Sequence, residues 1–368
     1  MKTIKTCLIL CSVLLFLFSC QKNVSDNTAA IYDDNNSIVK TSAGTYNSLF
    51  IKNDGSAWQM TDYDTTNPGY PMGNSSIVIK KVMDNTKEIA AGVGLSYIIK
   101  TDGTVWATGV HHEGQFGDGD TITHSGYKQV FSNAKSVSAT WYHCLVLKND
   151  GTVWASGLNK YGQLGTGDTL NRNQFVQVAT NVNQVSTGLN HSIIMKNDGT
   201  VWCTGLNSYG RLGTGDTISR RNFTLTATNA VSISAGFYHS LILKSDATVW
   251  ATGDNSSGEF GRGDTLSSYS WVQTANNVKQ IAAGWICSYL IKNDNALYVA
   301  GYNYDRFGLA GLSLSESVWT FTKSAENITS VSPALYYTLI LKPDNRVYTS
   351  GNSGGTADGN TFKLLPFK

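Results

Sequence analysis

Proline is rare in this chain, five in 368 residues, and charged side chains make up only 15%, against roughly 25% in an ordinary soluble domain. No basic tail or stripe is present; the formal net charge is +2, and Lys2 and Lys5 at the N-terminus contribute to it. Nucleic-acid binding rests on a concentrated positive footprint, so no nucleic-acid partner is expected. Cysteine is also scarce. Beyond the first 20 residues only Cys144, Cys203 and Cys287 remain, an odd set that argues against a disulfide framework and for small buried hydrophobes. What is plentiful is glycine, 36 residues, and aromatic side chains, 11%. That profile fits extended chain with many tight turns.

One phrase dominates. A Lys-x-Asp-Gly turn runs into Thr-Val-Trp-Ala-Thr-Gly, and its aromatic recurs at Trp58, Trp106, Trp154, Trp202, Trp250, Tyr298 and Tyr348. The spacing is 48 residues five times and then 50. So regular a period marks an array of one supersecondary unit, with copies starting near Ile38, Thr86, Ala134, Val182, Ala230, Val278 and Ile328. In the fourth copy, 182–188 and 192–196 read as strands, Asn197-Asp198-Gly199 as the hairpin turn, 200–204 as a third strand and 223–226 as a fourth. Trp202 falls on one face of the third strand and Val201 and Cys203 on the other. Both faces are apolar, and nothing has helical period. A four-stranded unit needing cover on both sides and repeated seven times predicts an all-β, seven-bladed β-propeller over 38–368, with Phe362–Phe367 as the closing strand of the last blade.

The N-terminus resembles a bacterial lipoprotein signal: Lys2 and Lys5, an apolar run from Cys7 to Phe18, then Leu17-Phe18-Ser19-Cys20. The resemblance implies a signal peptide over 1–19, a lipid on Cys20, a polar tether over 20–37, and a place in the bacterial envelope, with the outer membrane favoured by Lys22. Membrane contact is then through the lipid alone.

Leu158-Asn-Lys-Tyr-Gly-Gln-Leu-Gly-Thr-Gly-Asp168 and Leu206-Asn-Ser-Tyr-Gly-Arg-Leu-Gly-Thr-Gly-Asp216, each preceded by Thr-Val-Trp-x-x-Gly, resemble the repeat of the regulator of chromosome condensation family. The likeness is strongest in copies two to five and implies the same seven-bladed propeller. The family's nucleotide-exchange activity fits poorly here, since the signal resemblance puts the chain outside the cytoplasm. A related photoreceptor's Gly-Trp-Arg-His-Thr phrase has no counterpart: Thr140-Trp141-Tyr142-His143 lacks the Arg.

Residues that recur in every copy are expected to hold the copy together; function is sought where the copies differ. The loop between the first and second strands varies yet stays rich in large side chains: Tyr46, Trp141, Tyr142, Asn190, Phe237, Tyr238, Trp285, Ile286 and Tyr336. The loop between the third and fourth strands adds His111, His112, Tyr161, Tyr209 and Tyr304 to the same face. Exposed aromatics anchor protein interfaces, and the arrangement is similar to that of the propeller-type β-lactamase inhibitor. A protein partner is therefore expected for this face; the blander alternative is that these rings only plug the channel mouth. A glycan ligand, or an enzyme acting on glycan at the mouth with His111, His112, Glu113 and Asp118, is the runner-up. No triad, metal signature or phosphate loop stands out, so neither enzyme activity nor a cofactor nor a metal is expected. The recurring Lys and Asp at the turn, the aligned His143, His191 and His239, and Arg262-Gly263-Asp264 are all read as structural.

Overall fold

The computed structural model describes residues 37–61, 78–303, 306–309, 316–351, 361–365 and 367. The expected signal segment, Cys20, nearly all of the tether and Tyr304 lie outside them.

The described residues form seven four-stranded antiparallel sheets, each a simple meander in chain order. Blade four is built of Val182–Thr187, His191–Lys196, Val201–Gly205 and Arg220–Ala227. Its fourth strand begins three residues before the apolar run read from the sequence, because Arg220 pairs with Gly205 across the ladder.

Each sheet is apolar on both faces, and its neighbours cover it. Toward blade three, Val182, Val185, Ile194 and Trp202 pack with Leu145, Leu147, Val153 and Ala155. Toward blade five, Ile193, Met195, Val201 and Cys203 pack with Ala230, Ile233 and Ile242. Cys144, Cys203 and Cys287 are free thiols buried in these layers, and burial pushes Cys144 and Cys203 up to about 12.

The ring closes where the last blade meets the first. Ile38, Phe50 and Met60 share a core with Tyr337, Leu339, Leu341, Val347 and Leu365. The Tyr337 hydroxyl lies 2.6 Å from Ser48 Oγ and donates to the Gly44 carbonyl at 2.8 Å. Lys363–Leu364 is the outer strand of blade seven, and Phe367 beyond it meets Phe50 edge-on at 4.9 Å. The first strands converge on the axis, where Ala43, Ala91, Ala139, Ala235, Ala283 and Ala334 line the channel mouth; small side chains are what the narrow space admits.

Candidate functional site

Two sets of loops make one face because the long loops of blades two, four and six reach the first loop of the next blade. Gln115 Nε2 donates to the Trp141 carbonyl at 2.7 Å, Arg211 Nη1 donates to the Phe237 carbonyl at 3.0 Å, and Arg306 Nη1 donates to the Leu335 carbonyl. These donors occupy one register position and are buried. Burial lowers the Arg211 guanidinium to about 10, and its fork lies 5.3 Å from the Tyr238 ring.

On that frame the aromatic tips of three blades meet. Phe237 stacks on Trp285 at 3.9 Å, Trp285 lies 6.4 Å from Trp141, and Trp141 stacks on Tyr142 at 5.6 Å. Tyr238 meets Phe237 edge-on at 6.3 Å. Phe237 and Trp285 line the channel mouth itself. The five residues play different parts: Phe237 is only 6% exposed and supports the cluster, whereas Trp141 is 39% exposed and presents its ring. Tyr46, Asn190, Ile286 and Tyr336 are half-buried in the corresponding loops of blades one, four, six and seven. Tyr161 is half-buried with Lys160 Nζ 5.6 Å from its ring. Tyr209 is exposed, and its φ of 62° places a bulky residue in the left-handed region; such strain concentrates at functional positions.

One apolar set escaped the sequence reading. Ile122, Leu170, Ile218 and Leu266 sit at one position of the long loop in four consecutive blades, and each is at least 65% exposed. Because they recur in register they fell under the rule that repetition means structure. Exposure separates them from the residues that do hold the blade.

Those other recurring residues have structural partners. Each turn Lys lies over the aromatic of its own blade, from 3.8 Å at Lys52 and Trp58 to 5.8 Å at Lys100 and Trp106. The turn Asp caps instead: Asp102 Oδ1 accepts from Thr104 N at 2.9 Å and Oγ1 at 2.6 Å, and Thr104 Oγ1 accepts from Trp106 Nε1 at 3.0 Å. His143, His191 and His239 hydrogen-bond Ser192, Ser240 and Ser288 of the next blade at 2.8, 3.0 and 3.0 Å. Burial holds His143 at about 3 and His239 at about 4, so both stay neutral near pH 7. Arg262 Nη2 is 2.9 Å from Asp264 Oδ1, so the Arg-Gly-Asp string spends its charges on its own turn.

The residues suspected of enzyme chemistry separate. Glu113 Oε2 accepts from Asn171 Nδ2 of the neighbouring blade at 3.0 Å, and a His112 ring nitrogen lies 3.4 Å from the Thr121 carbonyl. His111 and Asp118 instead come together with Asp120 and His124, a group of four side chains able to hold a metal ion. The sequence reading expected no metal and did not assemble this group; the signal for it was present, since His111 stands where the other long loops have Asn159, Asn207, Asn255 and Asn303.

Comparison with known proteins agrees with the architecture. Two models of the regulator of chromosome condensation (RCC1) repeat match, one at residues 134–163, 182–211 and 230–259, the other at 150–195 and 198–243. Among solved structures, yeast RCC1 (Prp20) bound to Kap60 is similar with a TM-score of 0.71 and 19% identity, over 90% of this chain and 82% of that one. Prp20p from Saccharomyces cerevisiae, in a structure presented with its binding to Gsp1p and histones, gives 0.69 and 19%, over 90% and 84%. Human WBSCR16 gives 0.69 and 17%, over 82% and 89%. At these identities the likeness is one of fold. No curated protein matches the chain. Fold and loop face together define a closed seven-bladed propeller. The matched RCC1 repeats lie within residues 134–259, and over the rest of the described residues the likeness to RCC1 structures is one of fold.

Proposed function

We propose that this chain is an extracytoplasmic binding scaffold, tethered to a bacterial outer membrane by a lipid on Cys20, that grips a protein partner with its aromatic loop face. The observation that carries the reading is the meeting of Trp141, Phe237 and Trp285 from three separate blades over the channel mouth. The long loops of blades two to five also carry exposed Tyr209 and the four exposed aliphatic residues Ile122, Leu170, Ile218 and Leu266. A central aromatic group with further apolar surface is the composition that anchors protein interfaces. Plugging the mouth accounts for buried Phe237 but not for the exposed rings and tips. The yeast propeller of similar fold is described bound to Kap60 and binding Gsp1p and histones; only the class, a protein, is carried over here.

The test is capture from envelope extract by the immobilised chain lacking residues 1–20. The expected result is an envelope protein retained by this chain and lost with the variant carrying Trp141→Ala, Tyr142→Ala, Tyr238→Ala and Trp285→Ala. Equal retention by both would overturn the face assignment. Separately, Cys20→Ser in the full chain is expected to move it from the membrane fraction to the soluble one.

A further inference from the structure

Blade two departs from its own repeat at one place. In blades three and four the long loop is tied by a quartet, Asn159, Thr166, Asp168 and Arg172, or Asn207, Thr214, Asp216 and Arg220. The Asn amide donates to Thr Oγ1 at 2.9 Å in both and to Asp Oδ1 at 3.0 and 3.1 Å. The Arg closes on the other carboxylate oxygen at 2.6 and 2.7 Å. At the same four positions blade two carries His111, Asp118, Asp120 and His124. Three of the four have changed together, each to a residue that ligates metals.

The geometry follows the chemistry. One donor atom from each of the four lies within 4.8 Å of all the others. His111 Nε2 is 3.5 Å from Asp120 Oδ1, and His124 Nε2 is 3.5 Å from Asp118 Oδ2 and 3.7 Å from Asp120 Oδ1. Around a tetrahedral ion with bonds of about 2.0–2.2 Å, neighbouring donors stand roughly 3.3–3.6 Å apart. The Asp118 side chain is 5% exposed, and its Oδ1 has no hydrogen-bond partner, a state that costs free energy unless something positive arrives. The buried His111 ring stacks on Phe116 at 4.1 Å, which fixes its plane. The other groups at the cluster are the Ile122 carbonyl, which accepts a hydrogen bond from His111 Nε2 that an ion at this nitrogen would replace, and Lys128, whose Nζ lies 2.8 Å from Asp118 Oδ2 and 3.6 Å from Asp120 Oδ2. Lys128 is 49% exposed, and its flexible stem can carry the ammonium into solvent.

We propose that His111, Asp118, Asp120 and His124 bind a divalent transition-metal ion of the zinc class. Two imidazoles with two carboxylates favour zinc over calcium or magnesium, which take all-oxygen shells. Four protein donors fill a tetrahedral shell, so the ion is structural, with no position left for substrate. It clamps the loop that contains Gln115, the residue holding the Trp141 carbonyl, and so stiffens one support of the aromatic cluster.

The register supplies a variant expected to fold. His111→Asn, Asp118→Thr and His124→Arg together rebuild the quartet of blades three and four. Full chain stripped with EDTA is titrated with zinc chloride, followed by metal content and by thermal melting. The expected result is uptake of about one zinc ion per chain with a rise in Tm, no response to calcium or magnesium chloride, and loss of uptake and Tm response in the triple variant, which melts as cooperatively as the parent. No uptake by the parent chain, or zinc uptake with the same Tm response in the triple variant, would overturn the site. Either result would leave Lys128 as the cluster's own counter-charge.

Discussion

Ala247 holds a turn position that its counterparts fill with Gly55, Gly103, Gly151 and Gly199, and its φ of 63° is left-handed like theirs. A Cβ there costs about 1 kcal/mol or more. Ala247→Gly is expected to recover about 1 kcal/mol in urea unfolding, with an unchanged denaturant slope. Glu259 shows a second single-residue effect. It replaces Gln115 and Gln163 in register, accepts from Ser257 N at 3.0 Å as they accept from Glu113 and Tyr161, and leaves Oε1 without a partner. Burial, aided by nearby Asp254, raises its carboxyl to about 8. In the neutral form it can donate, as Gln115 does. A carboxyl neutral when folded and ionised when unfolded gives stability fully present below the ordinary value of 4.5 and lost as pH rises toward about 8. Glu259→Gln is therefore expected to flatten the fall of Tm between pH 5 and 8. An unchanged pH profile would show that the carboxyl is not held neutral.

At the scale of the strand and loop, legibility followed repetition. The turn, the third strand and the alternation of Trp202 against Val201 and Cys203 recur with one period, so the sequence exposes both packing faces of a blade. The fourth strand was less legible: Arg220-Arg221-Asn222 carries no apolar signal, and ladder pairing to Gly205 extends the strand over it. The binding loops were legible as positions but not as contacts. Phe237 and Trp285 lie 48 residues apart and Trp141 a further 96 from Phe237, so only ring closure brings them together. Repetition also misled, hiding Ile122, Leu170, Ile218 and Leu266 among structural residues. Exposed side chains of this kind change stability by about 0.5 kcal/mol or less, so Leu170→Ala and Ile218→Ala are expected to leave Tm unchanged while weakening partner capture. Unweakened capture would remove these tips from the interface.

The whole molecule depends on closure. Each blade covers its neighbours, and the first and last cover each other where Tyr337, Leu339, Val347 and Leu365, with Phe367 beside them, pack against Ile38 and Phe50. Leu365→Ala, at a position 1% exposed, is expected to cost about 2–5 kcal/mol and to make the blade-one edge the first region cut by protease. Closure sets the loop face as well, since that face is assembled from tips belonging to different blades. The most direct measurement is the affinity of the captured envelope protein for the parent chain, for Trp285→Ala, and for Lys135→Ala as a control on an exposed position away from the mouth. The account predicts a loss of about 2 kcal/mol, roughly thirtyfold in Kd, for Trp285→Ala and no change for Lys135→Ala. Equal affinity for Trp285→Ala and the parent chain, or a loss confined to Lys135→Ala, would contradict it.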